Sequence, residues 1–432
     1  MMPADHFQTC TAAPYWLEDV PLRPVRPEPL PAMVDLVVVG SGYTGLSSAI
    51  TVARGGRSVL VLDAGPLGAG CSTRNGGQVA PSIKPEFTTL AGRHGPEVAR
   101  AIRAEGYAAL RHVRDFVAAE GIDCDWTQTG RYMAAHSPGE FAWIERMAEA
   151  RVNAGEPAVQ VVPPDRQHEE LASGRYFGGV ISPLNASVHP AKLHAGLLHV
   201  AESAGVALRA GAAVTEIERQ ASGFRVQTAG GTVTARDVLI ATNGYTGTLA
   251  PWLRRRVIPI GSYMLATEPL DPQVAASLIP NRRMVVDTRK VVIYLRLSPD
   301  GRRLIFGGRA ALSETDLMRS LPRLYEMMLE VFPQLAGTRV SHAWNGFVAY
   351  TFDELPHTGT HDGVHYAMGY CGSGISLSHY FGHRAGQRIL GLAEGRTALD
   401  NIPFQTRPLY AGRPWFLKPA MAWYSLKDRL AG

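Results

Sequence analysis

The sequence predicts an α/β protein in which a Rossmann-like nucleotide-binding domain carries an inserted domain built on an antiparallel sheet. Three observations support this fold class. A complete strand–turn–helix–strand unit occupies residues 35–63, short alternating strands follow residue 206, and a second glycine-rich turn at 369–374 leads into a last helix. With 432 residues, the chain exceeds what one hydrophobic core usually serves, so we expect two packed domains.

The first unit has the features of a dinucleotide-binding βαβ motif. Residues 36–39 form an apolar, β-branched run of the kind that a parallel strand buried on both faces requires. The G-x-G-x-x-G positions that follow hold Gly40, Gly42 and Gly45. In this motif the glycines allow a tight turn, close approach of the backbone to a pyrophosphate, and packing of helix on strand. The helix at 44–54 points its N-terminus at the phosphates, and Asp63, after the second strand, is placed to bind an adenosine ribose.

A second polar loop, AGPLGAGCSTRNGGQVAPS at 64–82, bears on which dinucleotide is bound. It is too rich in backbone donors to be an ordinary connection. FAD lies extended, so a second loop is needed to cover its pyrophosphate and ribityl chain, and the residues suited to this are Ser72, Thr73, Arg74, Asn75, Gly76 and Gly77. A flexible surface loop is one alternative. An NAD-dependent enzyme is another, which flavin bands in a visible spectrum of the purified protein would exclude.

Periodicity along the rest of the chain predicts the remaining elements. Helices are expected at 94–120, 137–153, 190–203 and 375–390. Strands are expected at 131–135, 224–227, 232–235, 238–241, 261–267, 284–288, 291–297, 303–307 and 364–368. We therefore assign 33–92, 170–250 and 343–412 to the nucleotide-binding domain, 93–169 and 251–342 to the inserted substrate domain, 1–32 to a proline-rich extended lead-in, and 413–432 to a C-terminal tail.

The composition excludes several classes of partner. The chain has 46% hydrophobic and 19% charged residues, as ordinary globular proteins do. Its net charge of +5 is small and no basic strip interleaved with aromatics is present, so nucleic acid is not an expected partner. The four cysteines form no C-x-x-C pair, which argues against a zinc site and is compatible with a cytoplasmic location. Residues 1–31 lack the apolar core of a secretory signal, and no stretch reaches the ~18 apolar residues of a membrane-spanning helix.

With these segments in order, the chain resembles the glycine/D-amino-acid oxidase (DAO) family of FAD-dependent oxidoreductases. The matching stretches include VVVGSGYTGLSSA, STRNGGQV, VHPAKL, VLIATNGYT and YAMGYCGSGISL. The likeness runs from about residue 35 to the end. Within the family it is most similar to gamma-glutamylputrescine oxidase-like members, which share GYTGLSSA, a DCD segment like that at 123–125 and an ending like that at 424–430.

The resemblance implies noncovalently bound FAD and a set of residues that hold it. The ADP half would be held by Gly40, Gly42, Tyr43, Thr44, Gly45, Asp63 and Ala64, with Val214 meeting the adenine through its backbone. The middle of the cofactor and the flavin edge would be held by Ser72, Arg74, Asn75, Gly76, Gly77 and Gln78. The flavin pyrimidine would lie against Gly372, Ser373, Gly374 and Ile375, where a helix N-terminus stabilises negative charge.

The chain departs from the family pattern in three respects, which bear on how the flavin is attached and on which substrate is oxidised. Family members that bind flavin covalently have a cysteine just before a Tyr-Thr pair, where this chain has Ala349, so covalent attachment is not expected. Ser82 and Ser376 stand where the family has cations that clamp a small amino acid's carboxylate. Ser373 replaces a histidine. A substrate other than a simple amino acid is therefore expected.

The resemblance implies oxidation of a carbon–nitrogen bond in a small-molecule amine, with hydride passing to the flavin and the imine then hydrolysed. Oxygen or another electron acceptor would reoxidise the flavin. The residues proposed to face substrate are Gln78, Tyr263, Tyr294, Arg296 and Tyr350, and Arg296 could bind a distant carboxylate. Simple packing of the tyrosines stays an alternative.

Two histidine features are given a structural interpretation, and a third feature, the C-terminal tail, supports an alternative function. His379 and His383, four residues apart on the last helix, are read as one helix face rather than metal ligands, so no metal is expected. His189 is read as a residue that precedes a helix-starting proline. The aromatic tail at 413–430 leaves a membrane-associated dehydrogenase, passing electrons to a quinone or carrier protein, as the alternative function.

Overall fold

In the computed structural model, residues 4–309 and 316–431 are described. The strands are β1 (Met33–Val39), β2 (Val59–Leu62), β3 (Gln78–Val79), β4 (Arg131–Ala134), β5 (Gln160–Val162), β6 (Gly179–Ser182), β7 (Ala186–Ser187), β8 (Ala207–Arg209), β9 (Val214–Gln220), β10 (Gly223–Thr228), β11 (Gly231–Ile240), β12 (Ile258–Thr267), β13 (Met284–Asp287), β14 (Ile293–Leu297), β15 (Leu304–Gly308), β16 (Val340–Tyr350), β17 (His357–His361) and β18 (Val364–Met368). The helices are α1 (Tyr43–Arg54), α2 (Phe87–His94), α3 (Pro96–Ala119), α4 (Pro138–Asn153), α5 (Pro190–Ser203), α6 (Pro251–Arg254), α7 (Pro272–Leu278), α8 (Leu317–Val331), α9 (Gly374–Ile389) and α10 (Leu417–Ala431).

The first sheet is the predicted nucleotide-binding sheet. Its parallel strands run in the order β18-β11-β1-β2-β8, with β17 antiparallel at one edge and the β9–β10 hairpin joined to β11. In β1, Leu36 and Val38 pack into the core under the helices α1 and α5, while Val37 and Val39 pack into the core on the opposite face. The prediction of a central strand buried on both faces is therefore confirmed.

The second sheet runs in the order β16-β12-β15-β14-β13-β4-β6-β5. Its pairs are antiparallel, as predicted, except that β4 and β13 run parallel. Helix α8 packs against one face through Leu321, Leu324 and Met328, which join the core that the strands supply. The opposite face turns towards the nucleotide-binding sheet and lines a cavity.

The domain boundaries drawn from the sequence need correction at three elements. Strand β6, predicted for the nucleotide-binding domain, pairs with β4 and β5 in the second sheet. Strand β16, whose larger part was predicted for the nucleotide-binding domain, pairs with β12 along its length. Helix α3, predicted for the inserted domain, packs on α9, and its Val113 and Val117 enter the core of the nucleotide-binding sheet. The chain crosses between the domains more often than its local patterns indicate.

Local signals placed most element ends correctly. Ser137 caps α4, since its side chain accepts a hydrogen bond from Glu140 N. His189 caps α5 through Lys192 N, which is the structural role expected for it. The helix predicted at 94–120 is α3, which starts at Pro96 after Gly95, and a further helix that was not predicted, α2, precedes it. No helix in the described ranges is long and apolar enough to cross a membrane.

Candidate cofactor and substrate site

A cavity of about 1790 Å³ lies between the two sheets. Its wall includes Gly40 and Asp63 at the carboxyl ends of β1 and β2, where ligands of doubly wound sheets bind. It also includes Ser262, Tyr294 and Arg131 from the second sheet. Because pockets for a drug-sized ligand usually measure roughly 300–1,000 Å³, this cavity has room for a dinucleotide and a substrate together.

The glycines of the turn at the start of α1 have different roles. Gly45 allows helix and strand to pack, whereas Gly42 lies at the edge that is open to the cavity. Gly40 has a φ of 107°, which side-chain-bearing residues rarely adopt. A Cβ atom on Gly45 would lie 2.0 Å from the carbonyl oxygen of Gly40, so Gly45 permits the contact of α1 with β1. A Cβ atom on Gly42 would meet only Ser72 Oγ, at 3.0 Å, and Gly42 lines the cavity. Gly45 is absent from the cavity wall.

Asp63 is fixed at the end of β2 by hydrogen bonds from the glycine turn. Its Oδ2 accepts from Ser41 N at 2.9 Å and from Ser41 Oγ at 2.5 Å, and its Oδ1 accepts from Gly65 N at 3.1 Å. Each carboxylate oxygen has further lone-pair capacity, so the side chain can still accept hydrogen bonds from a ribose. Ser41 was not among the predicted residues, although its place between the first two glycines was a usable signal.

Two buried tryptophans hold the second loop. The indole Nε1 of Trp16 donates to the carbonyl oxygen of Asn75 at 2.9 Å, and that of Trp344 donates to the carbonyl oxygen of Arg74 at 2.8 Å. Both rings are almost fully buried. The Asn75 amide is committed to its own loop, since its Nδ2 donates to two loop carbonyls and its Oδ1 accepts from Gly77 N. Sequence reasoning missed both tryptophans, because neither has a local pattern that connects it to this loop.

Arg296 is not part of the cavity wall, which corrects its prediction as a substrate-facing residue. Its Nη1 donates to the carbonyl oxygens of Gly77 at 3.2 Å and Val188 at 2.9 Å, and its Nε donates to the carbonyl oxygen of Leu297. Burial lowers the pKa of this guanidinium to about 10. Arg296 is therefore a third support of the second loop, and its Nε and Nη1 donate to backbone carbonyl oxygens.

Tyr263 is likewise outside the cavity wall. Side chains alternate between the faces of a strand, and on β12 it is Ser262 and Met264 that line the cavity. Tyr263 points to the other face, where it is 1% exposed in the core beneath α8. The prediction that it faces substrate is therefore wrong.

The other three predicted substrate-facing residues, Gln78, Tyr294 and Tyr350, line the cavity. The Tyr294 hydroxyl lies 2.8 Å from Ser262 Oγ, and Gln78 Nε2 donates to the carbonyl oxygen of Val285 at 3.3 Å. The Tyr350 hydroxyl accepts from Lys84 Nζ at 3.1 Å. These residues therefore bring polar groups from two strands of the second sheet and from the short strand β3 to the cavity.

Two helix N-termini open into the same cavity. Helix α1 begins after Gly42 and helix α9 after Ser373, and neither start is capped by the side chain of its own N-cap residue, although Tyr43 N donates to Ser72 Oγ. The N–H groups of a helix start and the helix dipole favour negative charge. The predicted cofactor-contacting positions found on the wall are Gly40, Gly42, Tyr43, Thr44, Asp63, Ala64, Ser72, Arg74, Asn75, Gly76, Gln78, Val214, Gly372, Ser373, Gly374 and Ile375. This donor set fits an extended, anionic dinucleotide.

Two cysteines lie on the cavity wall, but neither is a reactive thiolate. Burial raises the pKa of the Cys371 thiol to about 12 and also raises that of Cys71. The Cys71 thiol donates to the carbonyl oxygen of Phe347 at 2.7 Å. Since the thiolate is the nucleophilic form, both side chains are poorly suited to covalent attachment of a cofactor at neutral pH.

The histidines of α9 lie in a helix contact. His379 is 1% exposed and packs against Phe116 and His112 of α3, with ring centroids 4.5 Å and 5.0 Å apart. The ring of His383 stacks on His112 at 4.6 Å, and its Nδ1 lies 2.9 Å from Thr51 Oγ1. Burial lowers the pKa of His383 to about 4. These residues form the seam between α3 and α9, as expected of a buried helix face.

Comparisons with known proteins agree with this architecture. A family model described as "DAO: FAD dependent oxidoreductase" matches residues 35–388. Gamma-glutamylputrescine oxidoreductase of Escherichia coli (strain K12) is 32% identical over 401 residues, which cover 92% of this chain and 93% of the relative. Probable oxidoreductase OrdL of Rhizobium meliloti (strain 1021) is 33% identical over 426 residues, covering 96% and 97%. The crystal structure of glycine oxidase from Geobacillus kaustophilus shares the fold, with a TM-score of 0.71 and 22% identity over 88% of this chain and 99% of that one.

Proposed function

This chain belongs to the DAO family of FAD-dependent oxidoreductases, and from that membership we propose that it oxidises a carbon–nitrogen bond of an extended amine such as a gamma-glutamyl derivative of a diamine. FAD, when bound, supplies the hydride acceptor. The imine product is released and hydrolysed by water. The similarity over nearly the full length to a gamma-glutamylputrescine oxidoreductase supports this substrate class.

The observation that carries the proposal is that Ser376, an uncharged residue, stands two residues after the last glycine of the turn. Ser376 stands at the position where the family has a carboxylate-binding lysine, and its Oγ donates to the carbonyl oxygen of Ala80 at 2.6 Å. The residue is 1% exposed. A carboxylate on the reacting carbon of glycine or sarcosine therefore finds no partner there, and an unpaired buried charge is costly.

The same proposal assigns the cofactor contacts. The backbone of Gly40 and Gly42 and the N-terminus of α1 would hold the diphosphate, and Asp63 the ribose. The N-terminus of α9 would stabilise negative charge on the flavin ring. The loop at 74–78, fixed from behind by its tryptophan and arginine donors, would lie along the middle of the cofactor. FAD would be noncovalent, because Val348 and Ala349 precede Tyr350 and the thiols on the wall are protonated.

Anaerobic stopped-flow reduction of the purified yellow enzyme tests the substrate class. Gamma-glutamyl and other acylated diamines should bleach the flavin faster, at equal concentration, than sarcosine, glycine or D-alanine. A neutral acylated diamine separates the need for length from the need for charge. Efficient turnover of sarcosine would contradict the proposal, since it would mean that a carboxylate on the reacting carbon is accommodated without the missing cation.

Exposed aromatic residues near the C-terminus support one alternative electron acceptor, which is a quinone or carrier protein at a membrane surface. Helix α10 borders the cavity through Leu417 and Met421 and is joined to the body by Asp428. Trp415 and Trp423, however, are 65% and 54% exposed. Flotation of the enzyme with anionic liposomes, together with rapid flavin reoxidation by a soluble quinone but not by oxygen, would favour this alternative over an oxidase.

A further inference from the structure

One corner of the cavity contains buried polar groups that lack partners. Arg131, the first residue of β4, lines the cavity, and its Nη2 donates to Ser82 Oγ at 3.2 Å. Its Nε is enclosed without a hydrogen-bond partner, and no described carboxylate forms an ion pair with it. Asn185 also lines the cavity, is 1% exposed, and has partners for neither amide atom. Buried polar groups normally pair, so these indicate a ligand.

The fold itself brings these groups together. Arg131 pairs with Ser182 across β4 and β6, and Gly130 N donates to the carbonyl oxygen of Asn185 at 3.1 Å. Ser82, the last residue of the second loop, reaches the same corner and accepts a hydrogen bond from Arg131. Three separate parts of the chain therefore contribute polar side chains to this region of the wall.

The charges of the corner favour an anion. Glu156 is already engaged, because it accepts from Arg103 at 2.7 Å, Arg151 at 3.1 Å and Tyr107 at 2.9 Å. Burial and the like charge of Arg151 lower the pKa of Arg131 to about 10, so the guanidinium is still charged at neutral pH. Its positive charge is not neutralised by a neighbouring side chain.

We propose that Arg131 and Asn185, with Ser82, form a subsite for a carboxylate of the substrate, distant from the reacting amine. The proposal rests on the amine oxidation proposed above and names its specificity-determining residues. A planar guanidinium can give a carboxylate two parallel hydrogen bonds, and an amide nitrogen can give a further one. The sequence suggested Arg296 as the residue that binds a distant carboxylate, and we assign this binding to Arg131 instead.

The position of the subsite on the sheet selects a distant carboxylate. Tyr294, Val286 and Met133 are in register across β14, β13 and β4, and strands lie about 4.8 Å apart. Arg131 lies two residues from Met133 on the same face. It is therefore more than roughly 10 Å from Tyr294, which touches the second loop at Gly76. A carboxylate at the far end of an acyl chain reaches that distance, whereas one on the reacting carbon does not.

A matched pair of substrates tests the charge. Glutaryl-putrescine and pentanoyl-putrescine differ only in that a methyl group replaces the carboxylate. Arg131→Met should raise the apparent dissociation constant for the glutaryl compound by at least about 30-fold, as loss of a charged hydrogen-bonding partner does. For the pentanoyl compound it should change less than about threefold, and limiting flavin reduction rates should be similar. Asn185→Ala should cause a smaller shift in the same direction.

Two controls distinguish binding of the carboxylate by Arg131 from a general effect of positive charge in the cavity and from a loss of stability. Lys290→Ala removes another cavity-lining cation and should leave the discrimination between the two substrates intact. Arg131→Met should also raise the melting temperature, because an unpaired, partly desolvated cation is replaced by an apolar side chain, whereas a purely structural Arg131 would lower it. Equal losses for both substrates in Arg131→Met would overturn the subsite.

Calorimetry with glutarate keeps this test independent of turnover. The holoenzyme should bind glutarate, and Arg131→Met should abolish the heat of binding. If neither acylated amine reduces the flavin but glutarate still binds through Arg131, the proposed function fails and the subsite stands. If the amines are oxidised but glutarate binds wild type and Arg131→Met equally, the subsite fails alone.

Discussion

Replacing Gly42 with alanine tests whether the open edge of the glycine turn belongs to a cofactor. The residue has φ −72° and ψ 179°, which alanine adopts without strain. The added methyl would lie 3.0 Å from Ser72 Oγ, which accepts from Tyr43 N at 3.0 Å. Shifting that hydroxyl weakens one hydrogen bond, about 1 kcal/mol, and alanine at a helix N-cap costs roughly 0.5–1 kcal/mol more. The free energy of unfolding should thus fall by only about 1–2 kcal/mol.

The effect on FAD should be larger than the effect on the fold. The methyl fills space where the backbone of Gly42 would approach the diphosphate, so the cofactor must move away from the N–H groups of α1. Overpacking and weakened charged hydrogen bonds together should cost about 2–3 kcal/mol of binding, which is roughly a 30- to 150-fold rise in the dissociation constant. Titration of the apoprotein with FAD, followed by fluorescence quenching, measures this directly.

Gly45→Ala is the matched control, because it adds the same methyl where it meets protein and not cavity. Its Cβ would lie 2.0 Å from the carbonyl oxygen of Gly40, so α1 would have to move by more than about 1 Å to restore a normal contact. That change should lower the melting temperature strongly, by an overpacking cost of about 3 kcal/mol. Unchanged FAD affinity in Gly42→Ala, or wild-type stability in Gly45→Ala, would refute the division of roles between the two glycines.

Three further predictions use other parts of the site. Arg296→Lys should weaken FAD binding and slow oxidation of charged and neutral amines alike, because this side chain supports a loop; a loss confined to carboxylate-bearing amines in stopped-flow reduction would contradict that role. Glu156→Gln should destabilise the protein by about 3 kcal/mol in urea unfolding at pH 7. Burial raises the pKa of Glu156, but hydrogen bonds from Arg103 and Tyr107 outweigh it and leave a net lowering, so the wild-type advantage should be complete above about pH 4.3 and decline as pH falls through the lowered value. Acid precipitation should release all flavin to the supernatant, and flavin kept in the pellet would reveal a covalent bond.

The first βαβ unit could be predicted from the sequence because its determinants are local. The strand, the glycines and Asp63 lie within one short segment, and the hydrogen bonds from Ser41 to Asp63 and the contact of Gly45 with Gly40 join residues of that segment. The strands of the second sheet were recognised for the same reason, from alternation and turn residues. Their assignment to a domain was less reliable, because β6 and β16 show nothing locally that distinguishes one sheet from the other.

The residues that were missed or misplaced act across long sequence separations. Trp16 supports Asn75 from 59 positions away, and Trp344 supports Arg74 from 270 positions away. Strand alternation correctly placed Tyr294 and Arg296 on one face, but it could not tell that backbone carbonyls would occupy the guanidinium. Arg131 lies in a short strand with no motif around it, so only the buried Nε without a hydrogen-bond partner reveals it.

The supports of the second loop also explain why cofactor binding and domain packing should be coupled. Trp16 comes from the N-terminal segment, and Arg296 and Trp344 come from the second sheet, yet all donate to consecutive parts of a loop that follows the nucleotide-binding strands. A shift of the second sheet relative to the first would break these hydrogen bonds and move the loop. A ligand that binds only the assembled cavity stabilises that arrangement by mass action, by about 4 kcal/mol at a thousandfold excess over its dissociation constant. The substrate-facing wall, including Arg131, is therefore held in place by the same packing that forms the cofactor site.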